Sequence, residues 1–203
     1  MGVKERKERQ KVEMKDLILQ SAHQLFLDRG FEEVSIRNIA EAIEYSPATI
    51  YLYFKDKDEI FYALHGEAFK IFNAYVSPIV AIKNPLERLF AMGEKYMQFA
   101  FTYPKYYDIM FIIESPMRCD ENSDEWKEGG AALGFLESIV EECKTLGHFK
   151  NQSPHTLSFT IWSFMHGMCS LSLRERMKHY PENEREEIKL KAFEVFKHML
   201  TNL

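Results

Sequence analysis

Apolar residues recur with the 3.6-residue period of a helix along almost the whole chain, and no stretch shows the period-two alternation of a strand. Between Lys4 and Arg29, the residues Leu17, Ile18, Ala22, Leu25 and Phe26 fall on one face, and Gly30 stops the helix. Ser35 is placed to cap a short helix with inward positions Ile36, Ile39, Ala40 and Ile43. Ser46-Pro47 pairs a capping hydroxyl with a proline suited to the first helical position, and starts a second short helix, Pro47 to Tyr53, that ends by Phe54. Asp56-Lys57-Asp58-Glu59 is an acidic form of the capping box and opens a long helix towards Val76. Further helices are expected from Asn84-Pro85 to about Thr102, over Tyr106 to Ile113 after Pro104, from Ser123 to about Leu146 before Gly147, from Ser153-Pro154 to about Lys178, and from Glu182 to Leu200. The polar stretch around Ser115 to Asp124 reads as a loop. The expected fold is all-α with nine helices and no internal repeat.

Two short helices joined by the tight turn Glu44-Tyr45-Ser46 fit a helix-turn-helix at residues 35–54. Ala40 is small enough to let the second helix cross the first closely. Ile50 and Phe54 face the core, which leaves Pro47, Ala48, Thr49, Tyr51 and Leu52 near the outer face. A hydroxyl, a phenol and an ammonium can each donate to phosphate oxygens, and Ala48 or the Thr49 methyl suits a thymine methyl.

The string FLDRGFEEVSIRNIAEAIEYSPATIYLYFKDKDEIFYAL, residues 26–64, resembles the DNA-binding domain of the TetR family of regulators. The resemblance is carried by Phe26, Gly30, Phe31, Ser35, Ile39, Ala40, Ser46, Thr49, Ile50, Tyr51, Tyr53, Phe54 and Lys57, in order and at the family's spacings. It implies a TetR-like architecture, with residues 1–60 forming a basic arm and DNA-binding domain, and 61–203 forming a ligand-binding and dimerisation domain. It also implies DNA contacts from Arg37, Ser46, Pro47, Ala48, Thr49, Tyr51, Tyr53 and Lys57. The family usually has glycine in the turn where this chain has Glu44, and a polar residue where it has Pro47. A carboxylate near DNA is unfavourable unless it points away or is paired, and proline restricts readout at its position to steric fit.

The C-terminal stretch TIWSFMHGMCSL, residues 160–171, resembles the Trp-x-x-x-His-Gly element of a subclass of TetR-type domains, here Trp162, His166 and Gly167, and YPKYYDIMF, residues 103–111, is similar to the same subclass. The four-residue step from Trp162 to His166 puts both on one helix face. His166 is then either a hydrogen-bonding group of a pocket or a core histidine at a hinge. The body is rich in large, adaptable side chains. Tyr96, Phe99, Tyr103, Tyr107, Met110 and Phe111, with Phe135, Trp162, Met165 and His166, are candidates to line a pocket for a small apolar or aromatic effector, although each such side chain also suits a plain core. The last two helices carry Leu157, Ile161, Phe164, Met168 and Leu171, then Phe193, Phe196 and Leu200. Two apolar helices at a chain end suit a four-helix homodimer interface, and a dimer on a near-palindromic double-stranded operator matches what one short recognition helix needs for specificity.

Composition narrows the classes. The chain has 203 residues and is 46% hydrophobic, ordinary for a globular fold. The longest apolar runs, such as Ile109 to Ile113, are too short to cross a bilayer, and the charged N-terminus lacks a signal-peptide core, so a cytoplasmic protein is expected. Cys119, Cys143 and Cys169 form no CxxC pair and read as small reduced side chains. The seven histidines show no metal-ligand spacing, and no cofactor motif accompanies them. The net charge of −5 argues against a uniformly basic surface, but Lys4, Arg6, Lys7, Arg9, Lys11 and Lys15 outnumber Glu5, Glu8 and Glu13 in an arm expected to be flexible. The expected function is a ligand-released repressor. An activator or ligand-independent regulator stays open. A helical enzyme using His166, Glu94 and Glu114 is disfavoured, because no nucleophile, metal or phosphate motif accompanies them.

Overall fold

The computed structural model describes residues 2–114 and 127–203. Among these residues the fold is all-α, with nine α-helices: α1 Val3–Arg29, α2 Ile36–Ala42, α3 Pro47–Tyr51, α4 Lys57–Val76, α5 Pro85–Thr102, α6 Pro104–Phe111, α7 Lys127–Thr145, α8 Pro154–Leu173 and α9 Arg185–Thr201. No helix among them is long and apolar enough to cross a membrane. The expected 115–124 loop, the Ser123 helix start and Cys119 lie outside the described residues.

Helix starts follow local chemistry. Ser35 and Asn38 cap α2 reciprocally: the Ser35 hydroxyl accepts from the Asn38 N–H at 3.2 Å, and Asn38 Oδ1 accepts from the Ser35 N–H at 2.9 Å. Asp56 accepts the Glu59 N–H at 2.8 Å at the head of α4, and Asn84 accepts those of Leu86 and Glu87 ahead of Pro85.

Helix limits differ from expectation in five described helices; one is α6, which ends at Phe111, short of Ile113, where the Ile112 and Ile113 N–H groups share the Asp108 carbonyl. The basic arm is helical: α1 runs unbroken from Val3, because Val3 to Arg29 holds no glycine or proline and consists largely of strong helix formers. The second motif helix stops at Tyr51, where the Leu52 and Tyr53 N–H groups tighten onto the carbonyls of Thr49 and Ile50. Helix α8 ends at Leu173 instead of about Lys178, since Glu175 turns left-handed at φ 55° and a 3-10 segment, Arg176–His179, follows. Residues Glu182–Glu184 form another 3-10 turn, which delays α9 to Arg185.

The chain divides into two compact units, Met1–Lys70 with Lys105–Lys127, and Ile71–Pro104 with Glu128–Leu203. The first unit is organised by aromatic contacts. Phe26, Phe31 and Phe61 form a triangle with ring centroids 5.1–6.0 Å apart. The series continues along α4 through the buried His65 and Phe69, and reaches Phe111 and Tyr107 of α6. Helix α6 also meets α1: Tyr106 stacks on His23 at 5.1 Å, and Lys105 Nζ donates to Gln24 Oε1 at 2.6 Å. Burial there holds the His23 imidazole below its ordinary pKa.

In the second unit α5 packs on α8. Gly93 admits the Phe193 ring, two of whose atoms lie 3.1 Å from where a Cβ would stand. Arg88 Nη1 donates to both oxygens of the Glu142 carboxylate, at 2.9 and 3.0 Å, tying α5 to α7, and Phe164 stacks face to face on Phe196 at 3.8 Å. Cys143 and Cys169 are buried, and desolvation pushes their thiols up to about 11 and about 12, which fits inert core residues.

The turn between α2 and α3 carries backbone strain. The Tyr45 N–H bonds the Ala40 carbonyl at 2.9 Å and the Glu44 N–H bonds that of Glu41 at 3.1 Å, a Schellman closure that requires a left-handed residue at position 44. Glu44 adopts φ 59° there, a region where a Cβ costs about 1–2 kcal/mol. Glu44→Gly is therefore expected to raise the melting temperature by a few degrees, a gain of about 0.5–1 kcal/mol after the larger entropy of the unfolded glycine chain is subtracted. An unchanged or lower melting temperature would show that the turn stores no strain.

Candidate nucleic-acid interface

Helix α3 is only five residues long, and what it exposes is set by what it buries. Ile50 is fully buried and Phe54 nearly so, and α3 packs on α2, whose Ile39 and Ala40 are fully buried too. A residue on the far side of so short a helix must face solvent: Tyr51 is 57% exposed, Leu52 77%, and Ala48 is exposed as well. Pro47, Thr49 and Tyr53 lie at the edges of that face, Thr49 and Tyr53 half-buried. The Ser46 hydroxyl accepts the Thr49 N–H at 3.3 Å and lies 3.1 Å from the Thr49 hydroxyl. Ser46 is thus first a helix cap, which fixes the orientation of the Thr49 side chain. Arg37 stands on the first turn of α2. The structure brings Ser46, Pro47, Ala48, Thr49, Tyr51 and Tyr53 together on one short element.

Lys57 has an additional role that its sequence position does not show. Its ammonium donates to the Phe31 carbonyl at 2.7 Å and to the Glu32 carbonyl at 3.4 Å, and it lies 4.0 Å from the centroid of the Phe31 ring. Two of its three N–H groups are thus committed within the chain, pinning the start of α4 to the segment that links α1 and α2. One N–H is left to meet a phosphate. The partners are 26 and 25 residues away in sequence, so no local pattern marks this contact.

The pocket candidates fall in both units. Tyr96, Phe99, Tyr103, Phe135, Trp162, Met165 and His166 belong to the second, and Tyr107, Met110 and Phe111 to the first. Tyr96, Phe99, Met165, Tyr107 and Met110 are buried; Tyr103 is exposed at 36%, with its ring 6.0 Å from that of Tyr75. The Tyr96 hydroxyl lies 3.4 Å from His166 Nδ1, and burial lowers the His166 pKa. Ser158, which carries no motif in the sequence, is fully buried and its hydroxyl has no hydrogen-bond partner among the described residues. At 100° per residue it shares the inner face of α8 with Met165 and Cys169.

Among the dimer candidates, Leu157, Ile161, Phe193, Phe196 and Leu200 are buried within the second unit, and Phe164 and Met168 are less so. Only Leu171 is well exposed, at 55%. The apolar side chains that α8 and α9 leave to solvent are instead Phe159, Leu171, Leu190, Val195 and Met199. Both faces of these helices carry apolar residues, so the pattern alone does not separate the core side from the outer one. Among the described residues no group of three or more His, Cys, Asp or Glu side chains is placed to hold a metal ion.

A capped recognition helix with an uncharged exposed face, crossed closely over a second short helix, defines a helix-turn-helix DNA-binding protein. Residues 18–64 match the family described as bacterial regulatory proteins, tetR family, and residues 89–200 match the tetracyclin repressor-like C-terminal domain. The chain belongs to the TetR family of transcriptional regulators. The HTH-type transcriptional regulator TcmR of Streptomyces glaucescens is 31% identical over 88 residues, an alignment spanning 43% of this chain and 38% of that protein. Two solved structures share the fold. The fatty acid degradation regulator FadR from Bacillus halodurans has a TM-score of 0.68 at 16% identity, covering 88% of this chain and 94% of that one. AibR in complex with isovaleryl coenzyme A and operator DNA has a TM-score of 0.69 at 20% identity, covering 92% and 97%.

Because its ammonium braces the motif, Lys57→Met is expected to lower stability by about 1.5 kcal/mol, the scale of a hydrogen bond to a charged group, measured as a drop in melting temperature without DNA. If the melting temperature is unchanged, the contacts with Phe31 and Glu32 contribute nothing and only a phosphate role is left.

Proposed function

We propose that this protein is a repressor that binds a near-palindromic operator as a homodimer and leaves it when a small apolar or aromatic effector occupies the C-terminal body. In this reading residues 1–60 bind DNA, residues 61–203 sense the ligand and dimerise, and the protein works in the cytoplasm. The observation that carries the DNA reading is the outward face of α3, where Tyr51 and Ala48 are exposed while Ile50 and Phe54 hold the helix from behind. Arg37, Ser46, Pro47, Thr49 and Tyr53 flank that face. Readout rests on phenol and hydroxyl donors and on the shape of Pro47 and Ala48, since the helix carries no charge.

The effector reading is supported by the aromatic side chains of α5 and α8 and by the unpartnered Ser158 hydroxyl among apolar neighbours. A polar atom buried without a partner costs free energy that a ligand group can recover. AibR is described in complex with isovaleryl coenzyme A, and FadR as a regulator of fatty acid degradation. Acyl thioesters, whose acyl chain would be the apolar part held by the body, are therefore the first class to test. Helix α4 is continuous from the motif into the second unit, and α6 grips α1 through His23, Gln24 and Tyr106, so a shift of α4 or α6 reaches the motif core directly.

The test is an electrophoretic shift and footprint on DNA upstream of the protein's own gene, with and without isovaleryl and longer acyl coenzyme A. A shift by the parent, release by an acyl thioester, and a loss of about 10- to 100-fold in affinity for Tyr51→Ala with its melting temperature intact are expected. Parent-like binding by Tyr51→Ala would sink the α3 reading. Binding unaffected by every acyl thioester would remove that effector class.

For the dimer, the outward apolar residues Val195 and Met199 are the ones expected to meet a partner. Val195→Glu with Met199→Glu is expected to halve the mass seen by light scattering and to abolish the operator shift, whereas an unchanged mass would place the interface elsewhere.

A further inference from the structure

The helix-turn-helix is itself acidic. Between Phe31 and Phe54 the sequence holds one cation, Arg37, against four carboxylates, Glu32, Glu33, Glu41 and Glu44, and α3 carries no charge at all. Affinity for duplex DNA depends largely on cations that displace condensed counterions from phosphates. If α3 reads an operator, as proposed above, most of that charge must come from outside the motif.

Helix α1 supplies it in an ordered form. At 100° per residue, Lys4, Lys7, Lys11 and Lys15 fall within about 80° of one another around the helix. The carboxylates Glu5, Glu13 and Asp16 lie on the other side, where Glu13 pairs with Arg9, and Glu8 sits at the edge of the lysine face. Lys4, Lys7 and Lys11 are exposed. A helix diameter of about 10–12 Å separates the two faces, comparable to the Debye length of about 10 Å at 0.1 M salt. Charges on the far side are thus largely screened from whatever meets the lysines.

The lysine face has a definite direction. It continues in line with Ile18, Ala22 and Phe26, the face of α1 that is fully buried where α1 packs on α2. Lys15 marks the hand-over: its ammonium is 5.4 Å from the ring centroid of Phe54, the residue that closes the recognition segment. The three lysines beyond it project past the same side of the motif. From Lys4 to Lys15 the rise is about 16 Å, the length of about five base pairs at ~3.4 Å each.

We propose that this lysine face is a second DNA contact, a rigid arm that follows the phosphate backbone flanking the half-site read by α3. It recognises phosphate spacing and not sequence, so it lengthens the footprint and raises affinity without altering operator choice.

The test uses the full-length protein, with affinities measured between 50 and 300 mM KCl on two fragments from upstream of its gene. One fragment is trimmed to the footprinted core, and the other carries ten further base pairs on each side. The variant K4Q/K7Q/K11Q is expected to flatten the slope of log K against log salt by about 2.7 per protomer, about 0.9 for each phosphate that a lysine no longer neutralises. It should also lose the parent's preference for the longer fragment. The control R6Q/R9Q removes charge from the opposite face and should keep that preference and nearly all of the slope. Equal flattening by both variants would show that only net charge matters, and an unchanged slope in the triple variant would show that the arm touches no DNA. Either result overturns the arm alone. A parent that binds neither fragment would overturn the α3 reading, and the arm with it.

Discussion

A helix of five residues has no stability of its own, because the cost of its first turn is never recovered by propagation. The DNA-reading end of this protein therefore depends on the burial of Ile50 and Phe54 behind α3. Each such side chain contributes about 1.5–3 kcal/mol when withdrawn from water. The Ser46 cap, Pro47 and the closure at Glu44 fix the backbone so that this burial orients the helix in one way. Tyr51, about 100° around the helix from Ile50, is left 57% exposed once Ile50 takes the inward position. Function here is the reverse side of a packing constraint.

That constraint is passed on through rings. The triangle of Phe26, Phe31 and Phe61 backs the motif, and His65, Phe69 and Phe111 extend it along α4 to α6. Close-packed aromatic contacts do not deform gradually: a displacement at one end either breaks a contact or moves the next ring. Lys57 adds a polar tie at the motif end, and the Lys105–Gln24 and Tyr106–His23 contacts add others at the α6 end. The residues 105–111 read in sequence as part of the ligand-binding body, yet they pack on α1.

Legibility in the sequence tracks how local the determining interaction is. Helix starts marked by a capping side chain with proline are placed to the residue, as at Asn84-Pro85, Ser46-Pro47 and Ser153-Pro154. The end of α8 is not, because Glu175 turns left-handed without a glycine to announce it. The outward set on α3 is legible, since Ile50 and Phe54 are the only large apolar residues at helical spacing that can face α2. The brace made by Lys57 is not, because its partners are 26 and 25 residues away. On α8 and α9 periodicity fails for another reason: apolar residues occupy both the buried and the exposed sides, so Phe193 and Phe196 look as suitable for an interface as Val195 and Met199.

Charge shows why a sum over the chain says little about a nucleic-acid partner. The net value of −5 is a property of all 203 residues, whereas DNA senses only what lies within about one Debye length of its phosphates. The motif is locally acidic and α3 is neutral, so in the proposed reading discrimination between sequences falls to phenol, hydroxyl and methyl groups whose contacts depend on fit and hardly on salt. In the same proposal long-range attraction falls to lysines on a separate helix face, which are indifferent to sequence. With the two tasks on different elements, the composition of α3 is free to change with the operator while the electrostatic contribution to binding stays constant. Pro47 and Glu44, the two departures from the family pattern, both lie in or beside the sequence-reading element, where such a change is least costly to affinity.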